Sequence, residues 1–416
     1  MKTVAALVLV AVLAVVGHGQ ARDEKDGPPE VDPYTGGEDA RVRQAGYRSL
    51  GKQLRLTHEQ RSKTIEEALG KKWMLWAETD HFKIGSVLTA RYPPRGDRAA
   101  AKSLDPEFDR LRARGLDLPR RVREIDPWLQ LHLYAMRLEE LYDEVEQTLG
   151  VAAGTFPTPP ERAPSLPLDR SSPGPFLGSH GKFVVVLFEE KADLARYNAR
   201  FAGVQVTTSY RFLSVDDDVN LFASAREPYS TSMKEASLFH CHVVGNALRM
   251  LICAYRGYRY NIPLWWLEGW AHWKTRRMDP TYFSPTVAAG QEADARKDSE
   301  WEDKVYGRVK NDYYPKAQDL LVKLDPREFK FADHLMSWSR VDYLLSQKGG
   351  KPGVYMEQIK ALAREAGRDP EQIRAAQDRA LKDAWGVEME SFDETWAEWV
   401  LENYHPRKRK SRRGGR

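Results

Sequence analysis

The sequence predicts an α+β protein that is mostly helical, with a small mixed sheet in its first part packed against a helical C-terminal region. The stretch KFVVVLFEE, residues 182–190, is a continuous apolar run typical of a strand buried on both faces. From residue 232 onward, apolar side chains recur at helical spacing. The 12 Trp, 18 Tyr and 14 Phe residues provide enough large side chains for a substantial core.

The N-terminus has the pattern of a cleaved secretory signal. Lys2 precedes an apolar run over residues 3–16, and small residues lead to Ala21. A run of that length is too short for a bilayer core of ~30 Å, which needs about 20 residues. We therefore expect residues 1–21 to be cleaved near Ala21. The mature chain, which has no predicted transmembrane segment, is then secreted or periplasmic.

The mature chain divides by composition into a linker and one domain. Residues 22–70 are polar, with Gly and Pro near their start, and predict a flexible linker with a weak helix near 58–70. The domain is predicted over residues 71–404. Its first part, 71–225, should hold the strands, and its second part, 230–404, should be helical.

The elements of the first part follow from local signals. Residues 79–86 alternate like a strand, and a long helix is predicted over 127–149, with Asp126 as its N-cap. Residues 151–181 are rich in Pro, Gly and Ser and predict an insertion without regular structure. Two further strands are predicted, near 205–214 and 219–223.

The second part is predicted to consist of successive helices. The capping box of Ser232 and Glu235 begins the first helix at Met233. Cys241 and Cys253 lie 12 residues apart on it, roughly 18 Å in a helix, so we expect two free thiols. The remaining helices are predicted over 264–276, 333–347, 353–366, 370–384 and 391–404.

The last residues form a basic tail. The segment 405–416 carries seven Lys or Arg, while the whole chain has a formal charge of +4. The body is therefore slightly acidic, which excludes a basic surface of the nucleic-acid-binding type. We expect the tail to be disordered and able to contact an anionic surface.

Two adjoining helices carry the residue types of a metal site. In the HExxH pattern, two histidines four residues apart bind zinc, and the glutamate between them activates water. If His242 is the first histidine, Val243 replaces the glutamate and Asn246 replaces the second histidine. If His242 is the second, Leu238 and Phe239 replace the first histidine and the glutamate. In both registers the replacing side chains are apolar or neutral.

The second of these helices contains PLWWLEGWAHW, from Pro263, which resembles the PxWLxEGxA segment of gluzincin zinc peptidases. The stretches WAETDHFKI, KFVVVLF and ALKDAWGVEMESFDETWAEWV extend the resemblance to a peptidase-MA-like domain over roughly residues 73–404. The resemblance implies a third zinc ligand at Glu268 and one zinc histidine at His242. It also implies that the general base and the other histidine are missing, so the fold would lack its usual chemistry.

These features lead to three hypotheses about function. The first is an exported, non-catalytic relative of gluzincin peptidases that binds a peptide or protein in the retained cleft, with no cofactor required and zinc possible. The second is a metal-dependent hydrolase with an altered ligand set of His242, Glu268 and His272, because His272 lies four residues after Glu268 on one helix face. The third is a surface-associated structural protein that acts through its basic tail.

Overall fold

The computed structural model describes residues 27–92, 103–152, 154–156, 174–229, 233–257, 262–365 and 369–405. The predicted signal peptide, most of the Pro-rich insertion and nearly all of the basic tail lie outside these ranges. The described part is mixed α/β and about 50% helical, with an eight-stranded mixed sheet and 13 helices. The coarse fold class is confirmed, and the sheet is larger than expected.

The described residues contain ten strands, β1 Ser49–Leu50, β2 Leu75–Glu78, β3 Phe82–Ser86, β4 Phe183–Phe188, β5 Tyr210–Ser214, β6 Val219–Ala225, β7 Tyr282–Phe283, β8 Thr286–Ala288, β9 Gln291–Glu292 and β10 Arg296–Lys297. The main sheet has the order β1-β2-β3-β4-β6-β5-β9-β8, and β7 pairs with β10 separately. The neighbours β3, β4 and β6 are parallel, and the other pairs are antiparallel. Three strands therefore end at one edge of the sheet.

The helices of the described part are α1 Asp39–Gln44, α2 Ser62–Ala68, α3 Asp105–Ala113, α4 Pro127–Leu149, α5 Lys191–Tyr197, α6 Met233–Ala254, α7 Leu264–Met278, α8 Trp301–Lys310, α9 Ala317–Leu321, α10 Phe331–Ser346, α11 Pro352–Glu365, α12 Pro370–Trp385 and α13 Met389–Asn403. The predicted C-terminal helices agree with the observed bounds to within a few residues. Sequence patterns did not predict α8, α9 or the short strands β7 to β10.

Strand β4 lies at the centre of the sheet and is buried on both faces, as predicted. Alternate side chains of a strand point to opposite faces. Phe183, Val185 and Leu187 therefore join the large core shared with the helices. Val184, Val186 and Phe188 join a smaller core, on the other face, with α2 and α5. The continuous apolar sequence of β4 reflects these two cores.

Helix α4 confirms its predicted N-cap and ends at a glycine. The Asp126 carboxylate accepts a hydrogen bond from the main-chain N–H of Leu129 at 2.9 Å, and Gly150 ends the helix in the left-handed region with φ 65°. Its first half is buried on all sides, since every side chain over residues 128–138 is buried. The helix contacts both the sheet and α6, so it is surrounded by protein.

Residues 27–70 differ from the predicted flexible linker. They form α1, β1 and α2, and both Val42 and Tyr47 belong to the main core, while α2 confirms the helix predicted near 58–70. His132 on α4 joins this segment to the domain, with Nε2 3.1 Å from the Asp32 carboxylate and Nδ1 2.6 Å from the Tyr47 hydroxyl. Polar composition was misleading here because hydrogen bonds to a distant helix satisfy the buried polar groups.

Helices α7 and α10 pack with their backbones in close approach. An added Cβ on Gly269 would lie 2.6 Å from the main-chain oxygen of Ser337, closer than any side chain allows. Glycine is therefore required at this crossing. The crossing brings the first turns of α10 beside the middle of α7, where Glu268 and His272 are located.

Helix α6 is a core helix. Its residues 237–254 have the length and composition of a membrane-spanning segment, but 89% of this stretch is buried inside the fold. Cys241 and Cys253 both lie on α6, are buried and are unbridged, which confirms the predicted free thiols.

Candidate functional site

The side chain of Glu268 lies in a buried charged cluster between α6, α7 and α10. Arg249 of α6 donates two hydrogen bonds to this carboxylate, from Nε at 2.8 Å and from Nη2 at 3.0 Å. Both side chains are 1% exposed. Burial alone would raise the pKa of Glu268, but the opposing effects of its neighbours, of which that of Arg249 is the largest, together hold the pKa below its ordinary value. Glu268 is therefore an ionised carboxylate paired with a guanidinium in the interior.

A threonine links Glu268 to a second buried carboxyl group. The Thr286 hydroxyl lies 2.6 Å from Glu268 Oε1 and 2.6 Å from Glu292 Oε1. A hydroxyl carries one proton, so both contacts are hydrogen bonds only if one carboxyl group is protonated. Burial raises the pKa of Glu292, although Arg249 and Arg211 oppose it. The Arg211 Nη2 atom lies 2.9 Å from Glu292 Oε1, so each of the two carboxyl groups has a guanidinium neighbour.

Two histidines complete the cluster on the other side of Glu268. Nε2 of His272 lies 3.1 Å from Nδ1 of His334, and these atoms lie 3.6 and 3.5 Å from Glu268 Oε2. Burial lowers the pKa of His334 to about 4, and it lowers the pKa of His272 well below its ordinary value. Both rings are therefore neutral at pH 7. Nδ1 of His272 is buried and has no hydrogen-bond partner.

The separations of these three donor atoms suit a tetrahedral metal ion. Ligands ~2.1 Å from zinc at tetrahedral angles lie about 3.4 Å apart, close to the observed 3.1, 3.5 and 3.6 Å. A carboxylate and two neutral imidazoles are also donors that zinc accepts. The group could therefore hold a zinc ion. All three side chains are almost completely buried, so an ion held there would be closed to substrate.

His242 makes a different set of contacts. Its Nε2 lies 2.7 Å from the Ser209 hydroxyl, and its Nδ1 lies 3.3 Å from the hydroxyls of both Tyr282 and Ser284. The Asn246 amide donates to the main-chain oxygen of His242 at 2.9 Å. Burial lowers the pKa of His242 to about 3, and two nearby guanidinium groups reinforce this effect. His242 is thus a neutral core histidine among hydroxyl groups.

Of the predicted ligand set, Glu268 and His272 lie together, and His242 is not part of their group. In the described part of the chain, Glu268, His272 and His334 form a buried group whose ligand atoms lie within 4.8 Å of one another. His334 takes the place that sequence reasoning gave to His242. It lies 62 residues after His272 and belongs to no local motif, so only the α7–α10 crossing at Gly269 brings it to the site.

The sequence was compared with family models and with curated proteins. No family model matches the chain. No curated protein matches it either.

Proposed function

We propose that the chain is an exported, non-catalytic protein of gluzincin-like architecture, in which Arg249 supplies the positive charge that zinc supplies in the enzymes. The observation that carries this proposal is the buried two-point hydrogen bonding of Arg249 to Glu268, the residue at the position of the third zinc ligand. A guanidinium and a carboxylate match each other in geometry and charge.

The positions of the missing catalytic groups support a non-catalytic role. Val243 and Phe239, the two alternatives for the general base, are 0% exposed and packed in the apolar core. Neither side chain can take a proton from water or orient it. In this proposal the protein acts by binding a peptide or protein rather than by cleaving it.

The donor geometry of Glu268, His272 and His334 favours a second candidate, a protein that holds zinc as a closed structural ion. The charge distribution opposes it, because Arg249 already pairs with the Glu268 carboxylate that the ion would need. A divalent ion would add positive charge where solvent cannot screen it. We therefore prefer the first candidate, in which Arg249 rather than zinc supplies the positive charge beside Glu268.

Metal content separates the two candidates. Protein purified without chelator should contain no stoichiometric metal, and a chelator should leave its melting temperature unchanged. Stoichiometric zinc whose removal lowers the melting temperature would establish the second candidate instead.

The variant Arg249→Gln tests the role of the guanidinium. It removes the charge that faces Glu268, so added zinc should raise its melting temperature more than that of wild type. The control is Arg256→Gln, since Arg256 forms a partly exposed ion pair with Glu357 at 2.8 Å and should show no zinc effect. Chelator-sensitive peptide hydrolysis by wild type, lost in Glu268→Ala, would overturn the non-catalytic proposal.

A further inference from the structure

Helices α8, α9, α12 and α13 line an open groove on the surface of the C-terminal region. The volume of this groove is about 870 Å³. The apolar part of its lining comes mainly from α13, with Met389, Ala397 and Leu401, and Leu401 is 43% exposed. The groove shares no residue with the Glu268 cluster, so it is a separate feature of the described structure.

The lining of the groove is acidic. Six of its side chains are acidic and two are basic, which gives the lining a net charge of −4. The basic side chains are Lys316 and Arg374, and the acidic ones are Glu371, Asp378, Glu390, Asp393, Glu394 and Glu398. Two ion pairs with residues outside the lining leave this balance unchanged, because Arg340 lies 2.6 Å from Asp393 and Asp312 lies 2.7 Å from Lys316. The groove is therefore suited to a cationic partner.

Three of these acidic residues form a row on α13. Glu390, Glu394 and Glu398 recur at intervals of four residues, so they lie on one face of the helix. All three are exposed, and the ion pairs among the described residues do not include them. Like charges four residues apart destabilise a helix, and the carboxylates of Glu390 and Asp378 also lie within 4.8 Å of each other. A cation beside this row would relieve the repulsion.

The basic tail, residues 405–416, begins at the end of this same helix. Tyr404 precedes the tail and is only 4% exposed. The Tyr404 ring stacks on Trp338, with centroids 5.6 Å apart, and its hydroxyl donates to Asp342 at 3.0 Å. These contacts hold the start of the tail about one helical turn from Leu401, the last residue of α13 that lines the groove.

The tail is long enough to follow the groove back along α13. The helix rises about 17 Å between Glu390 and Leu401. The residues after His405 span up to ~36 Å when extended, so the chain can reverse at the end of α13 and still reach Glu390. A segment tethered this close to its site has an effective concentration of roughly millimolar. Individually weak surface ion pairs can therefore hold it in place.

We propose that the basic tail binds in this groove of its own chain. The tail supplies seven Lys and Arg side chains to a lining with a net charge of −4. Their charged ends pair with the row of glutamates, while their aliphatic stems cover Leu401. A tail held there is not free to contact an anionic surface. The groove is independent of the Glu268 centre, so this proposal stands or fails separately from the proposed function.

Competition with a free peptide tests the proposal. The tail variant of the full chain combines four substitutions that remove positive charge, Arg407→Ser, Lys408→Ser, Arg409→Ser and Lys410→Ser. At low salt, a synthetic peptide of residues 405–416 should bind the tail variant about 10-fold more tightly than it binds wild type, because the tethered tail of wild type competes for the groove. High salt should weaken this binding. Equal binding to the two proteins, or binding to neither, overturns the proposal.

Substitution of the glutamates locates the binding site. Glu394→Gln with Glu398→Gln should weaken peptide binding to the tail variant about 3-fold or more, since two surface ion pairs are lost. The same two substitutions should shift the melting temperature less favourably in wild type than in the tail variant. In wild type they remove contacts with the tail, whereas in the tail variant they only relieve like-charge repulsion. Equal shifts in both proteins would show that the tail does not meet these glutamates.

The control changes two exposed glutamates at α2, Glu59→Gln with Glu67→Gln. Helix α2 packs in the smaller core, on the other face of the sheet from the C-terminal helices. These substitutions should leave peptide binding unchanged and shift the melting temperature of both proteins equally. Binding of the tail to a second copy would instead produce a dimer at high protein concentration, which the tail variant lacks. Such a dimer in analytical ultracentrifugation would overturn binding within one chain.

Discussion

An added Cβ on Gly269 would lie 2.6 Å from the main-chain oxygen of Ser337. The backbones of α7 and α10 therefore approach one residue away from Glu268 and three residues away from His334. This contact determines how near the imidazole of His334 comes to the carboxylate.

Gly269→Ala should consequently separate the two helices and destabilise the protein by about 1–3 kcal/mol, the usual range for overpacking. The control is Gly307→Ala on α8, where a Cβ would meet no atom within 4 Å. That change should stabilise by about 0.5–1 kcal/mol, because alanine restricts the unfolded chain. Urea unfolding of both variants measures the difference. If Gly269→Ala were at least as stable as wild type, the backbones of the two helices would not be in contact.

Removing Arg249 should be strongly destabilising. Arg249→Met leaves the buried Glu268 carboxylate without its partner, which costs about 3–5 kcal/mol. The double variant Arg249→Met with Glu268→Met should recover most of this loss, because no buried charge remains unpaired in the pair. Unfolding free energies of the two single variants and the double variant form the test. Additive losses would mean that the two side chains do not interact.

Stability should fall as the pH decreases below about 6.5, the ordinary histidine pKa. The pKa of His242 is lowered to about 3 in the folded protein. Between about pH 6.5 and this value, His242 is protonated in the unfolded chain but not in the native state. This stability is fully present above about pH 6.5 and decreases by up to ~1.4 kcal/mol per pH unit toward the folded pKa. His242→Gln should reduce the slope of this dependence, to which His272 and His334 still contribute, whereas the exposed His58→Gln should leave the slope unchanged. A slope unchanged by His242→Gln would contradict the assignment.

His132 should control the order of the N-terminal segment. His132→Leu removes both the contact with Asp32 and the contact with Tyr47, so trypsin should cleave at Arg41 and Arg43 faster than in wild type. The variant His58→Leu, at an exposed position, is the comparison. Rapid cleavage of wild type at these sites would instead favour the flexible linker that composition predicts.

The two thiols should be unreactive until the protein unfolds. Burial raises the pKa of both Cys241 and Cys253, so the reactive thiolate is scarce as well as inaccessible. A thiol reagent should label neither residue in native protein and both after denaturation without reductant. Labelling of only one denatured thiol per chain would indicate an intermolecular disulfide.

Local signals predicted local structure. Asp126 and Gly150 mark the ends of α4, and Asp369 before Pro370 marks the start of α12, where its carboxylate accepts from the Glu371 N–H. Each signal acts within a few residues, so it is readable in the sequence. The exception is α13, which begins at Met389 rather than at the predicted residue 391.

The parts that were missed depend on contacts between distant residues. Asp32 meets His132 across 100 positions, and this contact orders a segment that composition describes as a linker. In the same way, Glu268 could be found from its motif, but Arg249 and His334 could not. The crossing of the helices determines which charged side chain faces the Glu268 carboxylate. Residue spacing along the chain does not indicate how the helices cross.

The pairing of the central strands also bears on when the protein can fold. Phe82 pairs with Phe183, and Tyr210 of β5 pairs with Gln291 of β9, so a growing chain cannot complete the sheet before residue 291 has been made. Long loops must close before these pairings contribute, which makes such topologies slow to form. The main sheet is therefore expected to close late, after most of its strands have been made.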